Sequence, residues 1–214
     1  EAAAFPQRQK PQVAEYSIFK TYGALLDLIE RAFERSSPLF SLVVYNPVEY
    51  YLGDADEIDP FRRARLSNVV TLIRTQFLKR FESSVYAFET SCDRLLRKLL
   101  AFLKVHCETN HEKQLLERWI AQNESILNYT KNKQLELWDS EEEDDPELFS
   151  PELLERWEKL ERDKYDIPAI INMTLLDLNE LVKFLQETRK FKPERDDKLN
   201  KLKRMLKSKE FTDK

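Results

Sequence analysis

Apolar residues recur on one face of the chain across residues 66–103 and form the strongest periodic pattern in the sequence. They follow one another at three- and four-residue steps, the spacing that aligns side chains along one side of an α-helix. The positions are Leu66, Val69, Val70, Ile73, Phe77, Phe81, Val85, Phe88, Cys92, Leu95, Leu96, Leu99 and Leu103. This pattern predicts either one long helix or two helices with a kink near Glu82–Ser84, because serine side chains compete for backbone hydrogen bonds.

Shorter patterns of the same kind lie on both sides of this region. They predict helices at about 19–35, 110–133 and 170–190, a helix that restarts at Ser150–Pro151–Glu152 and ends near Tyr165, and a last helix from Asp196 onward. Asp59–Pro60 is a favourable helix start, since a carboxylate caps the first turn and proline fits its first position. The apolar stretch "PLFSLVVYNPVEYYLG" contains Pro47, which predicts a short helix that breaks before a turn at Gly53.

The composition favours helices over sheets. Gly occurs only 2 times, which leaves few positions for hairpin turns, and 35% of the residues are charged, as is typical of helical chains. Residues 13–18 follow two prolines and are expected to be extended. The sequence therefore predicts an all-α fold, an elongated multi-helix bundle with a long central helix or helix pair and a short extended N-terminal segment. Its expected parts are an extended entry at 1–18, a helical bundle at 19–138, an acidic flexible loop at 139–149 and C-terminal helices at 150–214.

Charge is distributed unevenly along the chain, although the formal net charge is only -4. Basic residues dominate residues 62–104 and 187–214, whereas acidic residues dominate residues 108–166. The first basic region could neutralise nucleic-acid phosphates, or it could pair with the acidic helices inside the bundle. The candidate nucleic-acid contacts are Arg62, Arg63, Arg65, Arg74, Lys79, Arg80, Arg94, Arg97 and Lys98. Aromatic residues follow the core periodicity, so stacking on single-stranded bases is not expected.

The stretch "FLKRFESSVYAFETSCDRLL", residues 77–96, mixes hydroxyl, thiol, phenol and charged groups. Its apolar members lie on the predicted buried face, which favours a packed helix with a polar flank over a reactive site. The flank consists of Lys79, Glu82, Ser83, Glu89 and Asp93. Cys92 lies on the buried face and is expected to behave as a small hydrophobe.

Candidate catalytic and metal-binding groups are sparse. A catalytic serine needs a histidine base, and the chain has only His106 and His111. The sequence "HCETNH" places both near Cys107, and Glu108-x-x-His111 matches half of a di-iron motif that would need a second copy. We therefore predict no catalytic, cofactor-binding or metal-binding residue in this chain. With two cysteines, no signal peptide and no membrane-spanning apolar run, a cytoplasmic location is expected.

Four segments, taken in order, resemble one protein family. They are "FPQRQKPQVAEYSI", "LVVYNPVEYYL", "LIRTQFLKRFESSVYAFETSCDRLL" and "DDKLNKLKRMLK". Together they resemble the helical region between the two RecA-like lobes of bacterial Swi/Snf-type helicase-like ATPases. The most specific piece is "LKRFESS", residues 78–84, and the resemblance covers nearly the whole chain except the acidic residues 139–147 and their neighbours.

The resemblance implies that the chain is part of a DNA-dependent ATPase, often called a helicase. In that family a strand like Val13–Ile18 leaves the first lobe and a segment like Asp197–Leu206 leads into the second. The family's nucleotide-binding loop, acidic motif and arginine fingers lie in the lobes, where ATP and Mg²⁺ bind, and none of them matches this chain. We accordingly expect the chain to belong to a longer polypeptide, as its start at Glu1 instead of Met and its lysine-rich end also suggest.

Two functional hypotheses follow. The first is a mechanical linker with the flanking lobes as partners and an auxiliary DNA-contact surface, without membrane association. The alternative is a free-standing helical adaptor that binds a protein partner through the acidic residues 139–147.

Overall fold

The computed structural model describes residues 13–34, 40–54, 58–137 and 157–207, with the backbone alone for 132–137. Eight α-helices lie in these residues: α1 (Ile18–Tyr22), α2 (Ala24–Ala32), α3 (Pro60–Ser83), α4 (Val85–His106), α5 (Asn110–Gln122), α6 (Glu124–Leu137), α7 (Ile167–Thr188) and α8 (Asp197–Leu206). Short 3₁₀ turns lie at Val43–Tyr45, Pro47–Tyr50 and Pro193–Arg195. The described residues include no β-strand, so the predicted all-α multi-helix bundle is confirmed. None of the helices described is both long enough and apolar enough to cross a membrane.

The chain divides into two compact units. Unit 1 is formed by Glu1–Gly23 and Phe191–Lys214, and unit 2 by Ala24–Lys190. Unit 1 thus combines the N-terminal and C-terminal parts of the chain, whereas unit 2 is continuous in sequence.

In unit 1, hydrogen bonds of Asp197, the first residue of α8, connect this helix to α1. The Ser17 backbone N–H donates to Asp197 Oδ2 at 2.7 Å, and the Asp197 backbone N–H donates to the Thr21 hydroxyl at 3.1 Å. Each helix also has its own cap, since Ser17 Oγ accepts from the backbone N–H of Lys20 and Asp196 Oδ1 from that of Leu199. The first and last described parts of the chain are therefore joined by hydrogen bonds.

The predicted stripe at 66–103 divides into two helices at Ser84, so the second of the two alternatives is confirmed. Ser84 is extended, with φ -164° and ψ 155°, and its side chain accepts from the backbone N–H of Ala87 at 3.1 Å. Ser84 ends α3 and caps α4 because its hydroxyl satisfies a backbone donor that the helix start leaves free. The apolar stripe itself is buried from Phe77 to Leu103 and half-buried at Leu66, Val69 and Ile73.

Three predicted helix boundaries are wrong. The helix expected at 19–35 is interrupted at Gly23, whose φ of 48° is readily adopted by a residue without a Cβ. The helix expected at 110–133 is divided at Asn123, whose side-chain Nδ2 and backbone N–H both donate to the Trp119 carbonyl. Residues 157–165 are turns and irregular backbone rather than the end of a helix, while 150–156 lie outside the described residues.

The core of unit 2 lies between α4 and α7, which pack along each other. Helix α3 packs on α4, and α2 packs on α7. Phe40 and Phe88 are both fully buried and connect these layers, since each has its ring near those of Phe77 and Phe184. Tilted and edge-to-face contacts of this kind add to the free energy of burying the rings.

A buried carboxylate fixes the segment that follows α2. Asp177 of α7 is 0% exposed and accepts the backbone N–H of Ser41 at 2.6 Å, that of Leu42 at 2.6 Å and the Ser41 hydroxyl at 3.1 Å. On the other side, Arg74 of α3 donates through Nε and Nη2 to the Phe40 carbonyl at 3.1 and 2.6 Å. Burial raises the pKa of Asp177 to about 6, while its hydrogen bonds and the charge of Arg74 act to lower it.

Leu42 shows how strongly this segment is held. Its φ of 56° and ψ of 39° are left-handed, a conformation that costs free energy for a residue with a branched side chain. The hydrogen bond to Asp177 and the complete burial of the Leu42 side chain offset that cost. Further along, residues 50–52 pair with 164–166 through two backbone hydrogen bonds, Leu52 N–H to the Lys164 carbonyl and Asp166 N–H to the Tyr50 carbonyl.

We predict that Asp177→Ala lowers the free energy of unfolding by about 3 kcal/mol, because it leaves two buried backbone N–H groups without an acceptor and opens a small cavity. Ser41→Ala, which removes only the hydroxyl donor, should cost about 0.5–1 kcal/mol. Urea unfolding measures both values. Asp163→Ala, at an exposed turn position, is the matched control, and an Asp177→Ala variant as stable as this control would contradict the assignment.

Candidate nucleic-acid interface

Helix α3 is the most solvent-exposed of the long helices in the described residues. Of its 24 residues only Val70, Phe77 and Phe81 are buried. Leu66, Val69, Ile73 and Arg74 are half-buried, and the other residues of the helix are exposed. The helix begins with Asp59, whose side chain accepts the Phe61 backbone N–H at 3.0 Å, followed by Pro60. The predicted helix start at Asp59–Pro60 is therefore confirmed.

The basic residues of α3 are mostly exposed. The helix carries six Lys or Arg side chains and one acidic side chain, Glu82. Among the nine candidate contacts, six are exposed: Arg62, Arg63, Arg65, Lys79, Arg80 and Arg94. Within the described part of the chain none of these six forms an ion pair.

An aromatic ring accompanies the first three arginines. Phe61 is 85% exposed, so the expectation that aromatic residues follow the core is wrong at this position. It lies in the first turn of α3, directly before Arg62 and Arg63. An exposed ring beside basic side chains is a common feature of surfaces that bind unpaired bases.

The other three candidate contacts face the protein. Arg74 is half-buried and holds the Phe40 carbonyl, as described above. Arg97 is 7% exposed and forms a buried ion pair with Asp93 at 3.1 Å. Lys98 is half-buried, and its backbone carbonyl accepts the indole N–H of Trp157 at 3.1 Å. The side chains of Arg74 and Arg97 therefore have a structural role, whereas Lys98 contributes its backbone carbonyl.

Two acidic residues of the predicted polar flank are buried, which corrects that expectation. Glu89 is 5% exposed and accepts the Tyr129 hydroxyl at 2.7 Å. Asp93 is 4% exposed and pairs with Arg97 one turn further along α4. A carboxylate can be buried only where a hydrogen-bond donor or a cation replaces the water around it. The sequence does not show that Tyr129 lies close enough to Glu89 to donate such a bond.

Within the acidic region 108–166, Glu108 and Glu112 pair with basic residues of the same region. Arg162 donates to Glu112 Oε2 at 2.6 Å, to Glu112 Oε1 at 3.1 Å, to Glu108 Oε2 at 3.0 Å and to the His106 carbonyl at 2.9 Å. Lys159 forms a further ion pair with Glu108. These hydrogen bonds and ion pairs join residues 157–166 to the start of α5.

The acidic residues 139–147, and the loop predicted at 139–149, lie outside the described residues.

Glu112 has the most strongly lowered pKa of these carboxylates. Burial acts to raise it, but hydrogen bonds from Arg162 and from the backbone N–H groups of Glu108 and Thr109 outweigh burial and lower the pKa of Glu112 to about 2. Glu112 and Thr109 also form a capping box, in which each side chain accepts the other residue's backbone N–H. One carboxylate thus caps α5 and holds Arg162.

The residues of "HCETNH" have separate environments. His106 is 2% exposed, and its ring stacks on Phe102 with the centroids 3.9 Å apart. Its Nδ1 donates to the Phe102 carbonyl at 2.8 Å, and its Nε2 accepts the Leu160 backbone N–H at 3.1 Å. Burial lowers the pKa of His106, so the neutral ring is favoured. Cys107 is buried and His111 is exposed, and no three His, Cys, Asp or Glu side chains among the described residues are arranged to hold a metal ion.

Cys92 is fully buried, as the apolar pattern predicts. Burial raises the pKa of its thiol well above the usual value, with Glu89 and Asp93 adding to the effect. The thiolate, which is the reactive form, is therefore disfavoured. The hydroxyl of Ser84, one of the serines in this stretch, accepts the Ala87 backbone N–H and caps α4.

Sequence reasoning missed the polar contacts between distant segments. The Arg162–Glu112 pair spans 50 residues, and the Ser41–Asp177 bond spans 136. No periodic pattern in the sequence indicates either contact, because each forms where a loop packs against a helix that is distant in the sequence. The available signal was Asp177 itself, a carboxylate among the apolar residues of α7.

Comparison of the chain with protein-family models, with curated proteins and with solved structures gave no match.

We predict that Glu112→Gln lowers the free energy of unfolding by about 2 kcal/mol at pH 7, because it leaves Arg162 without its main partner. The pKa of Glu112 is lowered in the folded protein, so its ionised form stabilises the fold above the usual pKa of 4.5, and this contribution is lost as the pH falls toward about 2. The difference between the two proteins should therefore shrink over that interval.

Urea unfolding at several pH values measures this difference, with Glu117→Gln at an exposed position of α5 as the matched control. A difference that stays constant between pH 7 and pH 3 would show that the charge of Glu112 is not what stabilises this contact.

Proposed function

We propose that this chain is the helical domain inserted between the two RecA-like lobes of a bacterial Swi/Snf-type, DNA-dependent ATPase of the cytoplasm. Its role there is to link the lobes mechanically and to extend their DNA-contact surface through α3. In this proposal ATP and Mg²⁺ bind to the lobes, and the helical domain catalyses nothing itself. The proposal rests on the resemblance of four ordered segments and on two features of the fold.

The observation that carries the linker role is the pairing of the two ends of the described chain. Residues 13–23 and 191–207 belong to one unit and are joined by the Ser17–Asp197 and Asp197–Thr21 hydrogen bonds, which span 180 and 176 residues. A domain that is inserted into another protein needs its entry and exit close together, so that the host fold is not disrupted. This arrangement meets the geometric requirement for an inserted domain.

The DNA-contact role is supported by the exposed basic residues of α3. Six basic side chains against one acidic one, with five of the six exposed, give this helix a positive surface in a chain that is acidic overall. Such a surface attracts phosphate groups regardless of base sequence, and its binding weakens steeply as salt is added. The lobes are expected to supply most of the affinity, with α3 as an auxiliary contact.

We predict that changing Arg62, Arg63 and Arg65 together to Glu abolishes most of the weak binding of the chain to duplex DNA. The change also should reduce the dependence of affinity on salt, since each lost phosphate contact lowers the logarithmic slope by about 0.9. Fluorescence anisotropy over a series of salt concentrations measures both quantities.

The matched control changes Lys113, Arg118 and Lys131 to Glu, which alters the net charge by the same amount at exposed positions on α5 and α6. Equal loss in the two triple variants would mean that net charge alone governs binding, and would remove α3 from the proposal. Circular dichroism of both variants verifies that the helices remain folded.

The inserted position has a separate test in the coding sequence on either side of this chain. A phosphate-loop lysine a few hundred residues upstream, and a hydrophobic strand directly after Lys214, are both required. Flanking sequence without these features would exclude the ATPase, whatever the DNA binding shows.

A further inference from the structure

Residues 157–162 lie against the C-terminal end of α4 and contact one buried side chain there, His106. Its ring is 2% exposed. The Nε2 atom accepts the backbone N–H of Leu160 at 3.1 Å, and Nδ1 contacts the Phe102 carbonyl at 2.8 Å. A backbone N–H can only donate, so Nε2 carries no proton, and the proton of the neutral ring lies on Nδ1. The fold therefore uses one tautomer of the neutral imidazole.

Protonation of this ring breaks the contact with Leu160. A proton on Nε2 would face the Leu160 N–H and set one donor against another. Burial also disfavours the charged ring, and the positive charges of Lys159 and Arg162, in the same segment as Leu160, oppose it further. The pKa of His106 is therefore lowered from its usual 6.5.

Two backbone carbonyls near the ring act in the opposite direction. Those of Phe102 and Glu158 act to raise the pKa of His106, but burial outweighs them. The Glu158 carbonyl is a partner for Nε2 only when Nε2 carries a proton, and the bond from Leu160 is then already lost. On α4 itself, burial raises the pKa of the neighbouring Cys107 thiol to about 11, so this group adds no charge beside the ring.

Arg162 provides a second attachment of the segment, which mild acid leaves intact. It pairs with Glu108 at 3.0 Å and with Glu112 at 2.6 Å, and it donates to the His106 backbone carbonyl at 2.9 Å. The pKa of Glu112 is about 2, and the hydrogen bond from Lys159 lowers the pKa of Glu108. Both carboxylates therefore stay ionised in the pH range where an imidazole takes up a proton.

Trp157 lies on the other side of Leu160 from Arg162 and depends on weaker contacts. Its indole N–H donates to the Lys98 carbonyl at 3.1 Å, and its ring meets Phe102 edge to face with the centroids 5.1 Å apart. No ion pair holds Trp157 itself, so the bond between Leu160 and the imidazole is the polar contact nearest to it along the segment.

We propose that His106 is an acid-sensitive latch, which holds residues 157–161 on α4 while its ring is neutral and releases them when the ring takes up a proton. Arg162 is the fixed end of the segment, so release is confined to the residues before it. Release withdraws the Trp157 ring from Phe102. The latch is independent of the DNA contact proposed for α3, because none of its groups belongs to that helix.

The direction of the pH dependence follows from the lowered pKa of the ring. In the released form the imidazole is in water and has its usual pKa of 6.5, whereas in the closed form the pKa is lower. Below pH 6.5 the released form therefore binds a proton that the closed form excludes. Release should become about tenfold more favourable for each pH unit, until the lower pKa is reached. Above pH 6.5 the ring is neutral in both forms and the latch stays closed.

The test measures hydrogen exchange of the Leu160 backbone amide by NMR, on the whole chain, between pH 7 and pH 5. The protection factor, which removes the intrinsic pH dependence of exchange, should fall about tenfold per pH unit below pH 6.5. The Trp157 indole N–H should lose protection in parallel. The Asp166 amide, which donates to the Tyr50 carbonyl on the far side of Arg162, should keep its protection.

A variant that cannot titrate separates the ring from other groups. In His106→Gln the side-chain amide oxygen can still accept the Leu160 N–H, so the protection of Leu160 should not depend on pH. His111→Gln, at an exposed position of α5, is the matched control and should keep the full pH dependence. If His106→Gln does not fold, the wild-type chain replaces it. The imidazole resonances of His106 and the amide resonance of Leu160 should then shift with one common midpoint below pH 6.5.

Three results would overturn the inference. Constant protection of Leu160 from pH 7 to pH 5 in the wild-type chain would show that protonation does not release the segment. An equal fall in His106→Gln, or different midpoints for the ring and the amide, would assign the pH dependence to another group. Parallel loss at Leu160, at Asp166 and at the core amide of Leu100 would indicate global unfolding in place of a local release.

Discussion

The structure depends on the requirement that buried backbone N–H groups find an acceptor. Between α2 and α3 the chain passes through the protein interior, where Phe40 and Leu42 are fully buried. One carboxylate, Asp177, supplies acceptors for two consecutive N–H groups and a hydroxyl. This interaction fixes the start of the 3₁₀ turns on α7, and Arg74 fixes the same segment to α3. The segment 40–42 is thereby bound to α7 on one side and to α3 on the other.

The same rule governs the charged side chains. Asp93, Glu89 and Glu112 are buried only because Arg97, Tyr129 and Arg162 lie within hydrogen-bond distance. Arg97 neutralises Asp93 inside a helix, and Arg162 neutralises Glu112 between a loop and the helix it crosses. The Tyr129 hydroxyl is uncharged and only donates a hydrogen bond to Glu89. The exposed arginines of α3 therefore have no ion pairs among the described residues and keep their charge for solvent or for a ligand. A chain with a formal net charge of -4 can in this way present a positive helix.

The exposed arginines of α3 and the paired ends of unit 1 bear on different parts of the proposed function. Exposed arginines act on phosphates at long range and without regard to base sequence. Arg74 differs from them, because its guanidinium is held by the Phe40 carbonyl. The paired ends of unit 1 are a separate feature, which bears on how the domain is connected and not on what it binds.

The sequence by itself determined the helical class, the helix start at Asp59–Pro60 and the buried face from Phe77 to Leu103, whereas for the break near Ser84 it offered one of two alternatives. These features depend on periodicity and capping, which act over one or two helical turns. Only the tertiary structure decided that Glu89 is buried against Tyr129, that Arg162 reaches Glu112 and that Asp177 holds Ser41. These contacts join residues 40, 50 and 136 positions apart, and their free energy depends on which side chains replace water at a given point in the folded chain. A local pattern contains no information about that replacement, since it arises only when distant segments pack together.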